Sequence, residues 1–306
     1  VWFTSYSSTE AYAYFYDPAA ASLRTYPLGS TNQAVNLTYY NQEGLAVDSK
    51  GNVWIGANNQ LAELVPSTGV VTQWTIPTPT ASAVAGADGL SPIVTNLVIG
   101  PGGEVVMSEV GAATLVKFDP SKQAFGTLEI PQVGDVQAMV VAPDGTIAVA
   151  MSNHQSNGSF ANDLVVLLHP DGIQASVTAP SSWSGVAGSE FVTGDWGHVS
   201  TIDSATAATA AVSEALSAGT GVEPNVAGVL ASGVVALGTT TGIDIISDGS
   251  VQTITLPQFD CSGTLVLPPG DTQTPFTTCQ ETPKYIVVDS AGNIWLSPAT
   301  PQNLLG

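Results

Sequence analysis

Two distant stretches of the chain read almost alike: GLAVDSKGNVWIG from Gly44 and YIVVDSAGNIWLS from Tyr285. Each is an apolar strand, an Asp-x-x-Gly-Asn turn and a second apolar strand that carries a tryptophan. With the turn glycine Gly51 as a register mark, comparable glycines followed by apolar strands recur at Gly103, Gly145, Gly188, Gly233 and Gly292, at intervals of about 42 to 59 residues. A further copy opens the chain, where VWFT at Val1 lies over VWIG at Val53. Self-similarity at such a period constrains the fold strongly, because each copy is a unit that buries its apolar faces only against its neighbours.

The rest of each period repeats too. An apolar strand precedes the glycine (NLVIG, AMVVAP, VAGVLAS), a third strand and turn follow (LAELVPSTG, LVKFDPSKQ, LVVLLHPDG), and a fourth commonly ends at proline (VVTQWTIP, FGTLEIP, IQASVTAP, VQTITLP). The Asp-x-x-Gly-Asn and Pro-Asp-Gly turns supply side chains that cap their own turn and a residue able to take positive φ. Four short strands per period predict an all-β fold, a β-propeller of four-stranded antiparallel blades, with residues 1–306 as one domain. Helical periodicity is absent except for a short turn expected within AAVSEALSAG from Ala210. Both ends carry the Trp-bearing second strand. They therefore compete for one position in a six-bladed ring and leave incomplete terminal blades in a seven-bladed one; the expectation is seven, with six as the alternative. Trp54 and Trp295 are expected to be equivalent core residues.

The stretches VWFT, YFYDPAAASLRTYPL and GLAVDSKGNVWIGANNQLAELVPSTGVVTQWTIP resemble the repeat of the virginiamycin B lyase-like propellers and their NHL and SMP-30 relatives, over nearly the whole chain. In the lyases the second strand commonly runs on as Trp-Phe-Thr followed by Glu, and metal-assisted elimination depends on a few His and Glu residues at the top of the ring. The resemblance therefore directs attention to the slot after the second strand, held here by Ser5, Ala57, Glu109, Met151, Gly194, Thr239 and Pro298. Glu109 alone keeps the acid, and His154, His169 and His198 reproduce no His, Glu, His set.

Charge narrows the classes of partner. Arg24, Lys50, Lys117, Lys122 and Lys284 stand against 25 acidic residues, a formal net charge of −20. A phosphate backbone or an anionic membrane would be repelled, which excludes nucleic acid as a partner. Charged residues make up 10% of the chain, against about a quarter usually, so the surface has to be covered by neutral polar groups. Protonating the carboxylates in acid leaves little self-repulsion, and the chain is expected to tolerate low pH. With no signal peptide and no apolar run of about 18 residues, it is read as soluble and processed, without a transmembrane segment.

Strand connections alternate between two faces of a propeller. Here one rim is tight (DSKGN, PSTG, PDG, SDGS), while every insertion falls on the other, after Ser30, Thr78, Ser152, Gly194 and Gln258, the last a loop insertion over about residues 258–283. Long loops gathered on one face of a rigid scaffold are where binding residues concentrate. Glu109 and His198 are the candidate catalytic residues on that rim, and Asp195, His154, Trp196, Tyr39 and Tyr40 the candidate ligand-binding residues, with Trp196 as a stacking surface. Asn36-Leu-Thr and Asn157-Gly-Ser match the glycosylation pattern, making Asn36 and Asn157 candidate acceptors. Cys261 and Cys279 bracket a Pro-, Gly- and Thr-rich loop; a disulfide there would contribute roughly 3 kcal/mol and implies an oxidising compartment, with two free thiols as the alternative.

Function is expected to be that of a non-catalytic binding or assembly module, secreted, periplasmic or at the cell surface. Its partner would be a protein, a glycan or a further copy of the chain. The alternatives are a metal-dependent lyase or lactonase acting at the loop-rich face and a carbohydrate-binding propeller. No metal site or obligatory cofactor is expected, and a divalent cation at the loop-rich face belongs to the lyase alternative alone.

Overall fold

The computed structural model describes residues 1–6, 10–30, 44–57, 60–77, 94–109, 114–130, 135–152, 164–172, 174–178, 183–187, 190–195, 198–213, 227–231, 234–239, 242–247, 250–255, 283–288 and 293–298. Among these residues the regular structure is all β, in seven antiparallel sheets. The first contains β1 (Trp2–Tyr6), β2 (Glu10–Asp17) and β3 (Ser22–Ser30). The second runs β4 (Gly44–Val47), β5 (Val53–Ala57), β6 (Gln60–Val65), β7 (Val70–Thr75). The third runs β8 (Val94–Ile99), β9 (Val105–Glu109), β10 (Thr114–Asp119), β11 (Ala124–Glu129), and the fourth β12 (Asp135–Val141), β13 (Ile147–Ser152), β14 (Leu164–Leu168), β15 (Gln174–Thr178). The fifth has β16 (Trp183–Ala187), β17 (Glu190–Asp195), β18 (His198–Asp203) and β19 (Thr209–Ser213), and the sixth β20 (Ala227–Ala231), β21 (Val234–Thr239), β22 (Gly242–Ser247) and β23 (Ser250–Thr255). β24 (Pro283–Val288) and β25 (Ile294–Pro298) form the last, two-stranded sheet. In every sheet, spatial order follows chain order.

One expectation is corrected here. The start of the segment in which a short helical turn was expected is strand: Thr209–Ser213 is β19, paired with β18 through Ala210, Ala211 and Ser213, while residues 214–219 of that segment lie outside the described residues. Cross-strand pairing with an already formed strand outweighs the helix preference of a short alanine-rich stretch.

The first strands β4, β8, β12, β16, β20 and β24 lie side by side in succession, so the sheets fan outward from a common line. Glycine allows one such close approach, since a Cβ on Gly44 would run into the Leu97 side chain and the Asn96–Leu97 backbone. Alternation along each second strand then sends side chains into two seams. Val53 and Ile55 pack towards Ala13 and Leu28 of the first sheet, while Trp54 lies with Met107 and Phe118 of the third. Val106 faces the fourth sheet, and Ala148 packs with Phe191 and Ile202 of the fifth. Each of these interior sheets is thus buried on both faces, the physical reason for repeating the same apolar text in every period.

The short turns on one rim are held by their own carboxylates. Asp48 Oδ1 accepts from the N–H groups of Lys50 and Asn52, both at 2.9 Å, and its Oδ2 accepts from the Trp54 indole N–H at 3.2 Å. Gly51 between them sits at φ 83°, where an L side chain would be strained. Asp17, Asp119, Asp144 and Asp203 cap their turns in the same way. The Asp-x-x-Gly-Asn-x-Trp string therefore encodes a turn and the anchoring of a core tryptophan together.

The two tryptophans expected to be equivalent are not. Trp54 is 1% exposed and stacks on Trp74 at 5.8 Å. Trp295 occupies the matching place, opposite Val287 as Trp54 is opposite Ala46, but is half-buried and meets Tyr16 edge-on at 5.6 Å. This contact brings the last sheet against the first; no hydrogen-bonded strand pair joins them among the described residues.

Candidate functional site

The seven slot positions fall at or next to the last residue of the second strands: Ser5, Ala57, Glu109, Met151, Gly194, Thr239 and Pro298 lie at the ends of β1, β5, β9, β13, β17, β21 and β25. They share the rim that carries the long connections. On β9 the alternation places Glu109 on the side of Val105 and Met107, both in the apolar seam with the second sheet. Glu109 is 3% exposed, and neither carboxylate oxygen has a hydrogen-bond partner among the described residues. Burial without compensation disfavours the ionised form, and the Glu109 carboxyl is pushed up to about 7.

The adjacent sheet shows what packing alone would place there. Met151 holds the corresponding slot on β13, 2% exposed, within the apolar cluster that includes Ile147 and Val149. Glu109 is the acid in a slot whose seven residues all differ. On the opposite face of β9, Asn96 Nδ2 donates to Ser108 Oγ at 3.2 Å and to the Val136 carbonyl at 3.3 Å, fixing the strand between the third and fourth sheets. Glu109 is held on a rigid element without being tied itself.

Other candidates fall elsewhere. Asp195 and His198 stand opposite each other in the β17–β18 register, at the same-rim end of the fifth sheet, with the whole fourth sheet between them and the sheet of Glu109. His154, Trp196, Tyr39, Tyr40, Cys261, Cys279, Asn36 and Asn157 lie outside the described residues. Among the described residues, no three His, Cys, Asp or Glu side chains gather as a metal-ligand set.

A polar cluster that the sequence reading did not single out sits on the tight rim. Ser204 Oγ donates to Asp144 Oδ2 at 2.8 Å, linking the fifth sheet to the fourth, and Thr146 Oγ1 and His169 Nδ1 are 3.2 Å apart. Burial raises the Asp144 carboxyl, but the Thr146 N–H, the Ser204 and Thr146 hydroxyls and the nearby His169 outweigh it and hold the group below its ordinary range. Because the Ser204 hydroxyl is bonded to the carboxylate and not to the imidazole, the cluster is a latch between sheets and no Ser-His relay. Its residues come from separate turns, so no contiguous motif announces it.

The likeness to known folds can now be placed. The fold is that of a β-propeller. The structure superposes on virginiamycin B lyase from Staphylococcus aureus at a TM-score of 0.57, with 15% identity over 86% of this chain and 82% of that one. A chain of a mitotic checkpoint complex matches at 0.61 with 13% identity, over 95% of this chain and 82% of that one. PorZ, an essential surface component of the type-IX secretion system of Porphyromonas gingivalis, matches at 0.60 with 13% identity, over 97% of this chain and 42% of that one. No family profile and no curated protein sequence matches the chain. Propellers at this level of identity serve as an enzyme, as part of a protein complex and as a surface component, so the site and not the fold has to carry any functional argument.

Proposed function

We propose that this chain is a seven-bladed propeller working as a non-catalytic binding or assembly module, secreted, periplasmic or at the cell surface, with its loop-rich rim as the contact face. One observation carries the reading: five described turn carboxylates on the tight rim bond to their own backbone, while the buried carboxylate at the loop-rich rim has no partner among the described residues. A buried polar group left without a partner calls for an explanation, and pairing with a group from outside is the one this reading takes. The likeness to a checkpoint-complex chain and to PorZ supports assembly as a use of this fold. The test is hydroxyl-radical footprinting of the protein with its native envelope fraction, run beside a glycan array. Protection confined to the connections after Ser30, Thr78 and Ser152 is expected; a strict monomer that binds no glycan and shows no protection there ends the proposal.

A second reading, a lyase or lactonase acting at the same rim, draws on one feature: burial pushes the Glu109 carboxyl up to about 7, where a carboxyl both gives and takes a proton at neutral pH. In that reading Glu109 transfers the proton, and His198, two sheets away, is tested as a separate group. Turnover of ester or lactone substrates that disappears in Glu109→Ala and in His198→Ala would select it over the binding reading.

A further inference from the structure

We propose that the loop-rich end of the seam between the second and third sheets receives a cationic nitrogen that carries its own hydrogens, an ammonium or guanidinium group of a ligand or partner, and that the Glu109 carboxylate is the group it pairs with. The inference rests on the reading of the loop-rich rim as the contact face and names the chemistry that one part of it takes.

Three observations converge. Both Glu109 oxygens are buried and lack a hydrogen-bond partner among the described residues, an arrangement that N–H donors from outside would relieve. Packing does not call for an acid, since Met151 fills the corresponding slot of the neighbouring sheet. The chain's own described cations are also placed elsewhere. Lys117 pairs with Glu104 at 3.1 Å, towards the opposite end of β9; Lys122 pairs with Asp119 at 2.6 Å; Arg24 lies over the Phe15 ring; and Lys50 and Lys284 belong to the tight turn of the second sheet and to the last sheet. Among the described residues no ligand set gathers around Glu109, and a single carboxylate suits a hydrogen-bonding organic cation better than a divalent ion, which needs several oxygen ligands. The net charge of −20 steers such a cation towards the molecule.

The experiment uses the whole chain with its glutamate side-chain carboxyls labelled with 13C, followed by NMR from acid to alkaline pH, with the Glu109 resonance identified by its loss in Glu109→Gln. Butylguanidinium and butylammonium chloride are the probes; tetramethylammonium, which has no N–H, and sodium chloride at equal ionic strength are the controls. Both probes are expected to lower the Glu109 midpoint by about one pH unit, the controls to leave it in place, and Glu109→Gln to weaken probe binding about tenfold. An unmoved midpoint, or the same movement with tetramethylammonium or salt, overturns the proposal. Glu109→Met, which copies the neighbouring sheet, supplies a second variant should Glu109→Gln fail to fold. Rim protection in footprinting that survives Glu109→Gln together with an unmoved midpoint removes this inference while leaving the binding-module reading intact; loss of rim protection in the wild type removes the reading itself.

Discussion

The two rims of this propeller treat the same chemical group in opposite ways. On the tight rim Asp17, Asp48, Asp119, Asp144 and Asp203 each accept backbone N–H groups of their own turn, and Asp48 and Asp144 also anchor Trp54 and Ser204. On the loop-rich rim Glu109 is buried with both oxygens unpartnered among the described residues. Asp119 and Asp203 are accordingly held below the ordinary carboxylate range by hydrogen bonds, first from the Lys122 and Thr206 side chains, whereas burial alone pushes Glu109 up. At Asp119 and Asp203 the hydrogen bonds of the turn make the carboxyl a stronger acid, and at Glu109 burial makes it a weaker one. The difference separates the carboxylates that hold the turns from the one on which the proposals are built.

The sharpest way to break the comparison is on the scaffold side. Trp54→Ala removes a fully buried indole from the seam between the second and third sheets and is expected to destabilise by about 3–5 kcal/mol in urea unfolding. Trp295→Ala, at the half-buried copy of that position, is expected to cost less than half as much; equal losses would mean that the two seams are packed alike after all.

Next comes the site. Glu109→Met should raise stability at pH 8 by on the order of 1–3 kcal/mol, because an unpaired buried acid gives way to the residue the adjacent sheet already uses. A loss of stability would show that Glu109 is satisfied in solution and that the contrast between rims is false.

Titration sharpens the same point. The folded Glu109 carboxyl has its midpoint near 7, against an ordinary 4.5, so in that window the folded chain binds more protons than the unfolded one. Its contribution to stability is complete below about 4.5 and is lost as the pH rises through about 7. Thermal melts across this window are expected to show unfolding temperatures falling with pH in the wild type and a flatter profile in Glu109→Gln. This is the direction in which the scarcity of basic residues also points, and a wild-type profile that rises with pH would contradict both.

The smallest effect belongs to the latch between the fourth and fifth sheets. Ser204→Ala removes one hydrogen bond to the Asp144 carboxylate and is expected to cost about 1 kcal/mol, measured by the same unfolding series. No loss at all would mean that water replaces the hydroxyl without penalty.

Much of the architecture was legible because its signals are local. The turn string that runs from Asp48 through Gly51 to Trp54 sets strand, turn and anchored core residue within a few positions, and its repetition marked out the second strands, after which the resemblance to the lyase-like repeat pointed to the slot containing Glu109. β19 was not legible because a short alanine-rich stretch carries no strand signal of its own; its neighbour β18 decides its conformation. The Asp144–Ser204 latch was missed for a related reason, since its members meet only across a seam.

Local alternation and turn chemistry were enough, by themselves, to dictate an all-β repeat, its four-strand period and a division into a short-turn rim and a long-connection rim, because each depends on residues a few places apart. Only the tertiary structure decided that Trp54 and Trp295 differ, that Glu109 is buried where its counterpart is methionine, and that its oxygens lack a described partner. Burial and satisfaction are properties of what lies opposite a side chain, and in a molecule built from radiating sheets that surface always belongs to a different repeat.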